Sequence, residues 1–240
     1  MKVGVIGDVH GNLEALEAVL AALEDARVAT LVCVGDIVGY GADPAACVSL
    51  LRARAHAVVA GNHDYGVVGR QAPDYFNAAA RAALAWTTSQ LSKEDRWWLS
   101  TLPLVHSEDV YQLTHASFCE PMRFPYILNP EDAAASFASQ QRQVGFFGHT
   151  HWASTFVDGE PVRHSIQQIV PVAAPGKVLI NVGSVGQPRD SNPEASYVVF
   201  DTRRMRVRFR RVRYDVETAA RKIREAGLPG SLAERLFLGH

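Results

Sequence analysis

The chain opens Met1-Lys2-Val3-Gly4-Val5-Ile6-Gly7-Asp8-Val9-His10-Gly11-Asn12, and the reading of these residues decides the fold. Val3, Val5 and Ile6 make an apolar run too short and too β-branched for a helix, which predicts a strand. Gly7 stops it, and Asp8 and His10 follow two positions apart. In extended chain, residues two apart point the same way, so a carboxylate and an imidazole would face one point beyond the strand's carboxyl end. Open α/β sheets place their sites at such strand ends. A strand and turn with two unrelated polar residues would read the same way, so the rest of the chain decides.

Two further segments repeat the pattern. Asn12 can cap a helix running to about Asp25, with Leu13, Leu16, Val19, Leu20 and Leu23 along one stripe. Thr30 to Val34 is a second apolar strand and is closed by Gly35-Asp36. A helix is predicted from Pro44, a residue suited to a first turn, to about Arg54. His56 to Ala60 is a third strand, closed by Gly61-Asn62-His63-Asp64. This alternation predicts parallel strands joined by right-handed crossovers. Three strands each ending in glycine and a ligand-type residue is not a chance arrangement.

From Val67 to about Leu102 the pattern turns helical. Asp74 to Gln90 is rich in alanine, and Ser92-x-x-Asp95 resembles a capping box ahead of Trp97, Trp98 and Leu99. The segment is either ordinary helical packing or a lid beside the site. Tyr65, Tyr75, Phe76 and Trp86 give it aromatic surface able to cover a base or another small organic group.

Leu104 to His106 and Val110 to Thr114 are predicted to pair as a hairpin that delivers His115. A short helix near Glu131 to Ala138 precedes another apolar strand, Val144 to Phe147, which ends in Gly148-His149-Thr150-His151. Ser154 to Val157, Val178 to Val182, Ser196 to Phe200 and Met205 to Val212 are expected to form a second, mostly antiparallel sheet. Asp215 to Ala226 and Ser231 to Leu238 read as helices. There is no internal repeat or low-complexity linker, so residues 1–240 are expected to form one domain.

The 240 residues carry a net charge of −1, with 48% hydrophobic and 20% charged residues, the balance of an ordinary globular protein. Nothing in that balance calls for a nucleic-acid or membrane partner. The run Arg203-Arg204-Met205-Arg206-Val207-Arg208-Phe209-Arg210-Arg211 alternates with period two, which reads as an amphipathic strand with a solvated arginine face. Cys33, Cys47 and Cys119 are an odd number without CxxC spacing, fitting a reducing compartment and a cytoplasmic location. No apolar run approaches the roughly 18 residues of a membrane span.

The polar residues at strand ends make a constellation of Asp8, His10, Asp36, Asn62, His115, His149 and His151. Mixed nitrogen and oxygen donors without thiolate suit Mn, Fe, Zn, Co or Ni, whereas an all-oxygen set would suggest Mg or Ca. Seven donors exceed one tetrahedral ion and suit two divalent ions about 3.5–4 Å apart that share a carboxylate. His63, beside Asn62, is placed to protonate a leaving alkoxide, and Asp64 to orient it.

These blocks, in this order, resemble the calcineurin-like metallophosphoesterases. The stretch Asn181-Val-Gly-Ser-Val-Gly-Gln-Pro-Arg-Asp190 resembles the downstream loop of the compact bacterial and archaeal members. The resemblance implies a four-layer α/β/β/α sandwich, two packed mixed sheets flanked by helices, with the helical insert after the third strand. It implies one metal on Asp8, His10, Asp36 and His151, the other on Asp36, Asn62, His115 and His149, and His63 as general acid. The expected reaction is in-line attack on phosphorus by a hydroxide bridging the two ions, with Mn²⁺ the first candidate.

Protein Ser/Thr phosphatases continue the second block as Gly-Asp-x-x-Asp-Arg-Gly and the third as Gly-Asn-His-Glu. Here Gly35-Asp36-Ile-Val-Gly-Tyr-Gly41 lacks that arginine and Asp64 replaces the glutamate. Arg189 and Asn12 are the substrate-binding candidates. The expected partner is a small phosphodiester or phosphomonoester, nucleotides included, with a phosphoprotein or dinucleoside polyphosphate as the alternative. These residues do not choose between diester, monoester and dinucleoside polyphosphate. A non-catalytic scaffold is disfavoured because every ligand-type residue and His63 are kept.

Overall fold

In the computed structural model, which describes residues 1–172 and 176–240, the opening stretch is strand β1 (Lys2–Ile6), followed by helix α1 (Leu13–Asp25). β2 (Thr30–Cys33), α2 (Pro44–Arg54) and β3 (Ala57–Val58) complete the expected alternation. The three strands run parallel, with Val3 opposite Thr30 and Val32 opposite Ala57. The helical stretch holds α3 (Asn62–Val67), α4 (Ala78–Gln90) and α5 (Lys93–Thr101). Next come β4 (Val105–Ser107), β5 (Tyr111–Thr114), α6 (Pro130–Ser139), β6 (Val144–Phe147) and β7 (Ser154–Val157). The chain finishes with β8 (Arg163–Ser165), β9 (Ile169–Pro171), β10 (Val178–Asn181), β11 (Ala195–Asp201), β12 (Arg206–Val212), α7 (Val216–Glu225) and α8 (Gly230–Leu238).

The strands form two six-stranded sheets, ordered β3-β2-β1-β11-β12-β9 and β4-β5-β6-β10-β7-β8. This corrects one expectation. β11 and β12 do not join the second sheet; β11 pairs antiparallel with β1, Val5 opposite Val198, and β12 extends it. The physical reason is that β1 is apolar on both faces, so neither of its edges can be left to solvent. The second sheet is also more mixed than expected. Its β5–β6 pair is parallel because α6 carries the chain back across the sheet, its β6–β10 pair is parallel after the excursion through β7, β8 and β9, and the other three pairs are antiparallel.

Alternation along each strand builds the layers. Val3, Val5, Val32 and Val34 of the first sheet meet Leu113, Val144, Phe146, Val178 and Ile180 of the second in one buried cluster. The odd-man positions Ile6, Cys33, Tyr197 and Val199 face the other way, against α1, α2, α7 and α8. On the outside of the second sheet, Phe147, Phe156 and Leu179 pack with Ala133 and Phe137 of α6. The result is helix, sheet, sheet, helix. In β12 the apolar face turns inward as expected, with Val207 fully buried and Met205 and Phe209 packed beside it. No helix among the described residues is long and apolar enough to cross a membrane.

Candidate metal centre

All seven sequence-predicted ligand residues come together at one edge of the two sheets. Asp8, Asp36 and Asn62 follow β1, β2 and β3 of the first sheet, while His115 and His149 follow β5 and β6 of the second. The chain is not extended at Asp8 and His10, as assumed from the spacing. Asp8, His10, Asp36, His149 and His151 all adopt left-handed backbone, with φ of 52, 50, 52, 67 and 61°. For residues with a Cβ each such conformation costs on the order of 1 kcal/mol or more and persists only when its surroundings impose it.

Here backbone hydrogen bonds impose it: Asp8 N donates to Gly35 O at 2.9 Å, His10 N to Asp36 O at 3.0 Å and Gly186 N to Asp8 O at 2.9 Å. The glycines ahead of the ligands answer to the same crowding. A Cβ on Gly61 would collide with the Asp36 carboxylate, and one on Gly148 with that of Asp8.

The ring tautomers then decide what the cluster can hold. His10, His115 and His151 each donate Nδ1–H to a backbone carbonyl, of Val38 (3.0 Å), Val34 (2.8 Å) and Gln187 (2.6 Å). A neutral ring tied in this way presents only a lone pair at Nε2. Yet His10 Nε2 faces His151 Nε2 at 3.0 Å, and His151 Nε2 faces Asp8 Oδ1 at 3.2 Å. His115 Nε2 likewise faces Asp36 Oδ2 at 3.3 Å, Asn62 Oδ1 at 3.2 Å and His149 Nδ1 at 3.1 Å.

With the rings neutral, lone pairs face lone pairs at two neighbouring points, and a cation, a proton or a metal ion, is what relieves such an arrangement. The donor atoms of Asp8, His10 and His151, and those of Asp36, His115 and His149, each lie within 4.8 Å of one another. Asp36 adjoins both groups, with His10 Nε2 at 3.7 Å. The nitrogen and oxygen donors suit a divalent transition ion.

The charge balance agrees. Burial opposes ionisation of Asp36, but His115 and His63 outweigh it and hold the carboxyl well below its usual range. Burial alone would lower His115, yet the Asp36 charge and hydrogen bond raise it to about 9, so the ring carries a proton toward Asp36 until another cation takes its place. Burial drives His10 and His149 well below the ordinary histidine range. The pocket therefore favours positive charge beside Asp36 and neutral, metal-competent rings around it.

His63 sits in the first turn of α3, its ring 4.9 Å from that of His10, 4.5 Å from Tyr40 and 5.1 Å from Phe76. Its Nδ1 is buried without a partner. Burial pulls the ring to about 4 against the Asp36 charge, and an anion seated beside it shifts the balance toward the protonated form.

Two expectations need correction. Asp64 makes no contact that orients His63. Its carboxylate accepts from four backbone N–H groups, those of Asp36 (2.8 Å), Ile37 (2.9 Å), Val38 (3.3 Å) and Gly61 (2.9 Å), and so clamps the second block to the third. Asn12 serves the protein instead: Oδ1 caps α1 at Ala15 N (3.1 Å) and Nδ2 donates to Gly186 O (2.9 Å), and the side chain is not among those that line the pocket above the ligand residues.

Above the ligands lies a pocket walled by Tyr75, Phe76, Asn77, Tyr126 and Arg189, with His63 opening into it. Arg189, one of the substrate-binding candidates, lines this pocket. Tyr65 and Trp86 are not in this wall: the Tyr65 hydroxyl donates to Leu102 O at 3.0 Å, and Trp86 packs on the helical core. Sequence reasoning missed Tyr126, whose ring stacks on His149 with centroids 4.1 Å apart and planes at 21°. Tyr75 joins the two walls, its hydroxyl donating to Phe124 O at 3.2 Å. The available signal was the run of prolines, Pro121, Pro125 and Pro130, between which Phe124 and Tyr126 fall soon after His115.

Residues 1–205 match the family model described as the calcineurin-like phosphoesterase superfamily domain. An uncharacterised protein of Methanocaldococcus jannaschii is 39% identical over 242 residues, covering 99% of this chain and 98% of that protein. The solved structure of a metallophosphoesterase from Sphaerobacter thermophilus shares 40% identity at a TM-score of 0.89, covering 100% of this chain and 99% of that one. A hypothetical protein from Pyrococcus horikoshii shares the fold at a TM-score of 0.81 with 19% identity.

Proposed function

The chain belongs to the calcineurin-like phosphoesterase superfamily, and on that premise we propose that it hydrolyses small phosphate esters, nucleotides included, with two metal ions. The observation that carries this reading is the pair of converging lone-pair clusters that share Asp36. Asp8, His10, Asp36 and His151 would hold one ion, and Asp36, Asn62, His115 and His149 the other. Divalent transition ions, with Mn²⁺ the first choice, supply when bound an activated water and neutralisation of phosphoryl charge.

The chain's own groups do the rest. Arg189 reaches into the pocket as a guanidinium able to pair with a phosphoryl oxygen. His63 holds a proton at the ring edge that opens into the same pocket and passes it to the departing oxygen. Tyr75 and Tyr126, both partly exposed, bracket the organic group of the ester. Walls that close the pocket on two sides favour small molecules over folded phosphoproteins. The three cysteines are free, in keeping with a cytoplasmic protein.

The test is a panel of aryl phosphomonoesters, aryl phosphodiesters, nucleotides and a phosphoprotein, assayed under Mn²⁺, Ni²⁺, Zn²⁺ and Mg²⁺. Turnover of a small ester under a transition ion is expected. Tight binding without turnover of any member would instead mark a binding module. A kcat/KM for the phosphoprotein equal to that of the best small ester would refute the walled pocket.

A further inference from the structure

The loop after β10 ends in a feature that the metal cluster does not use. Gln187 is buried, and its side-chain Oε1 accepts from two guanidinium groups, Arg189 Nη2 at 3.0 Å and Arg235 Nη1 at 3.4 Å. The two nitrogens are therefore no farther apart than those two bonds laid end to end. Neither guanidinium pairs with a carboxylate among the described residues; Asp190, next in sequence, is taken by Arg211, and Glu194 by Arg213. Arg189 Nε is buried without any partner. Burial and the charge of Arg189 together push Arg235 below its ordinary range.

Arg189 also meets the Tyr40 and Tyr126 hydroxyls, but all of these partners are neutral, a weak anchor for two cations. Each guanidinium offers five N–H donors in a planar fork, so donors remain free on both. An anionic group between them would convert the mutual repulsion into charge-assisted, bidentate contacts.

The location says what that anion belongs to. Arg189 lines the pocket that His63, His149 and His151 also line, and its guanidinium lies 5.9 Å over the Tyr40 ring. That ring in turn lies 4.5 Å from the His63 ring. The backbone oxygen of the same Gln187 takes the Nδ1–H of His151, so one residue positions both a metal ligand and the arginine pair. α8 is tied to this loop by Ser191 N, which donates to Gly239 O at 2.9 Å.

We infer that Arg189 and Arg235, bridged by Gln187, form a second anion subsite beside the metal ligands, and that the substrate carries a second phosphoryl group, as a nucleoside diphosphate or another phosphoanhydride does. The word substrate rests on the hydrolase reading above; the subsite itself does not. It gives the C-terminal helix α8 a role in choosing the ester, with the organic group left to Tyr75 and Tyr126.

The experiment is a calorimetric titration of the Mn²⁺-loaded protein with pyrophosphate and, separately, with orthophosphate. The chains compared are wild type, Arg235→Ala and Arg235→Lys. Arg235→Ala is expected to weaken pyrophosphate about tenfold, the worth of one charge-assisted contact, and orthophosphate much less. Arg235→Lys is expected to recover part of the loss, since charge returns without the fork. Equal losses for the two anions would place Arg235 on the reacting phosphoryl group and overturn the second subsite, as would an unchanged pyrophosphate affinity. If Arg235→Ala does not fold, Arg235→Gln carries the same comparison.

Kinetics separate this claim from the hydrolase reading. In the variant, kcat/KM for a nucleoside diphosphate relative to an aryl monophosphate should fall about tenfold. Turnover with an unchanged ratio would remove the subsite and leave the hydrolase. Arg235-dependent pyrophosphate binding without turnover of anything would do the reverse.

Discussion

Asp36 Oδ2 lies 3.3 Å from His115 Nε2 and 3.7 Å from His10 Nε2, while its Oδ1 accepts from His63 N at 2.8 Å. One carboxylate thus borders both donor groups and seats the helix that carries the expected acid. Asp36→Asn is expected to lose bound metal and turnover together, more than any single histidine change. Elemental analysis beside an activity assay reads it, and two ions per chain with normal turnover would remove the shared role. His63→Ala should differ in kind. It keeps its metal and loses on the order of 10²–10⁴ in turnover, less with a very good leaving group. Loss of metal from that variant would make His63 a ligand. Asp64→Ala leaves four buried N–H donors without an acceptor, at roughly 1–3 kcal/mol each for those that cannot relax. Its denaturation midpoint should drop by several kcal/mol equivalent, and wild-type stability with impaired turnover would restore a catalytic role for Asp64.

At the scale of elements, α1 depends on Asn12. Asn12→Ala removes the cap at Ala15 N and the bond to Gly186 O, so a loss of about 1–2 kcal/mol is expected, with KM unchanged. Thermal melts with steady-state kinetics check it; a raised KM at wild-type stability would return Asn12 to the substrate. The same element shows how far the sequence could be read. Val3, Val5 and Ile6 announced a strand, and the glycine-ligand blocks announced where it ends, so the parallel half of the first sheet and the seven candidate ligand residues that gather at its end were legible. The partner of the other edge of β1 was not. β11 lies nearly 200 residues away in the chain, and local periodicity carries no information about which sheet a strand joins. Asp64 and Asn12 were misread for a related reason: polar residues beside a motif serve the backbone as readily as the substrate. Tyr126 escaped because it comes from irregular chain, where no period marks a face.

For the molecule as a whole, the donor groups join the two sheets. Asp8, His10, Asp36 and Asn62 come from the first sheet and His115, His149 and His151 from the second, and each proposed ion draws on both. Metal binding should therefore clasp the sandwich along one edge. By mass action, free ion at about 100 times its Kd adds about 2.7 kcal/mol to the stability of the folded chain, so chelation should lower Tm and Mn²⁺ restore it. Asp36→Asn should show little of this gain, and a Tm indifferent to chelator in the wild type would mean that the clusters hold no ion. The most direct measurement is a paired titration of the chelator-stripped protein with Mn²⁺, with bound ion counted by elemental analysis and hydrolysis of an aryl phosphate ester followed in the same samples. Turnover should be absent at the start and rise with occupancy to a plateau at two ions per chain. Full turnover in the stripped protein, or two bound ions with no turnover of any ester, would contradict a two-metal phosphoesterase.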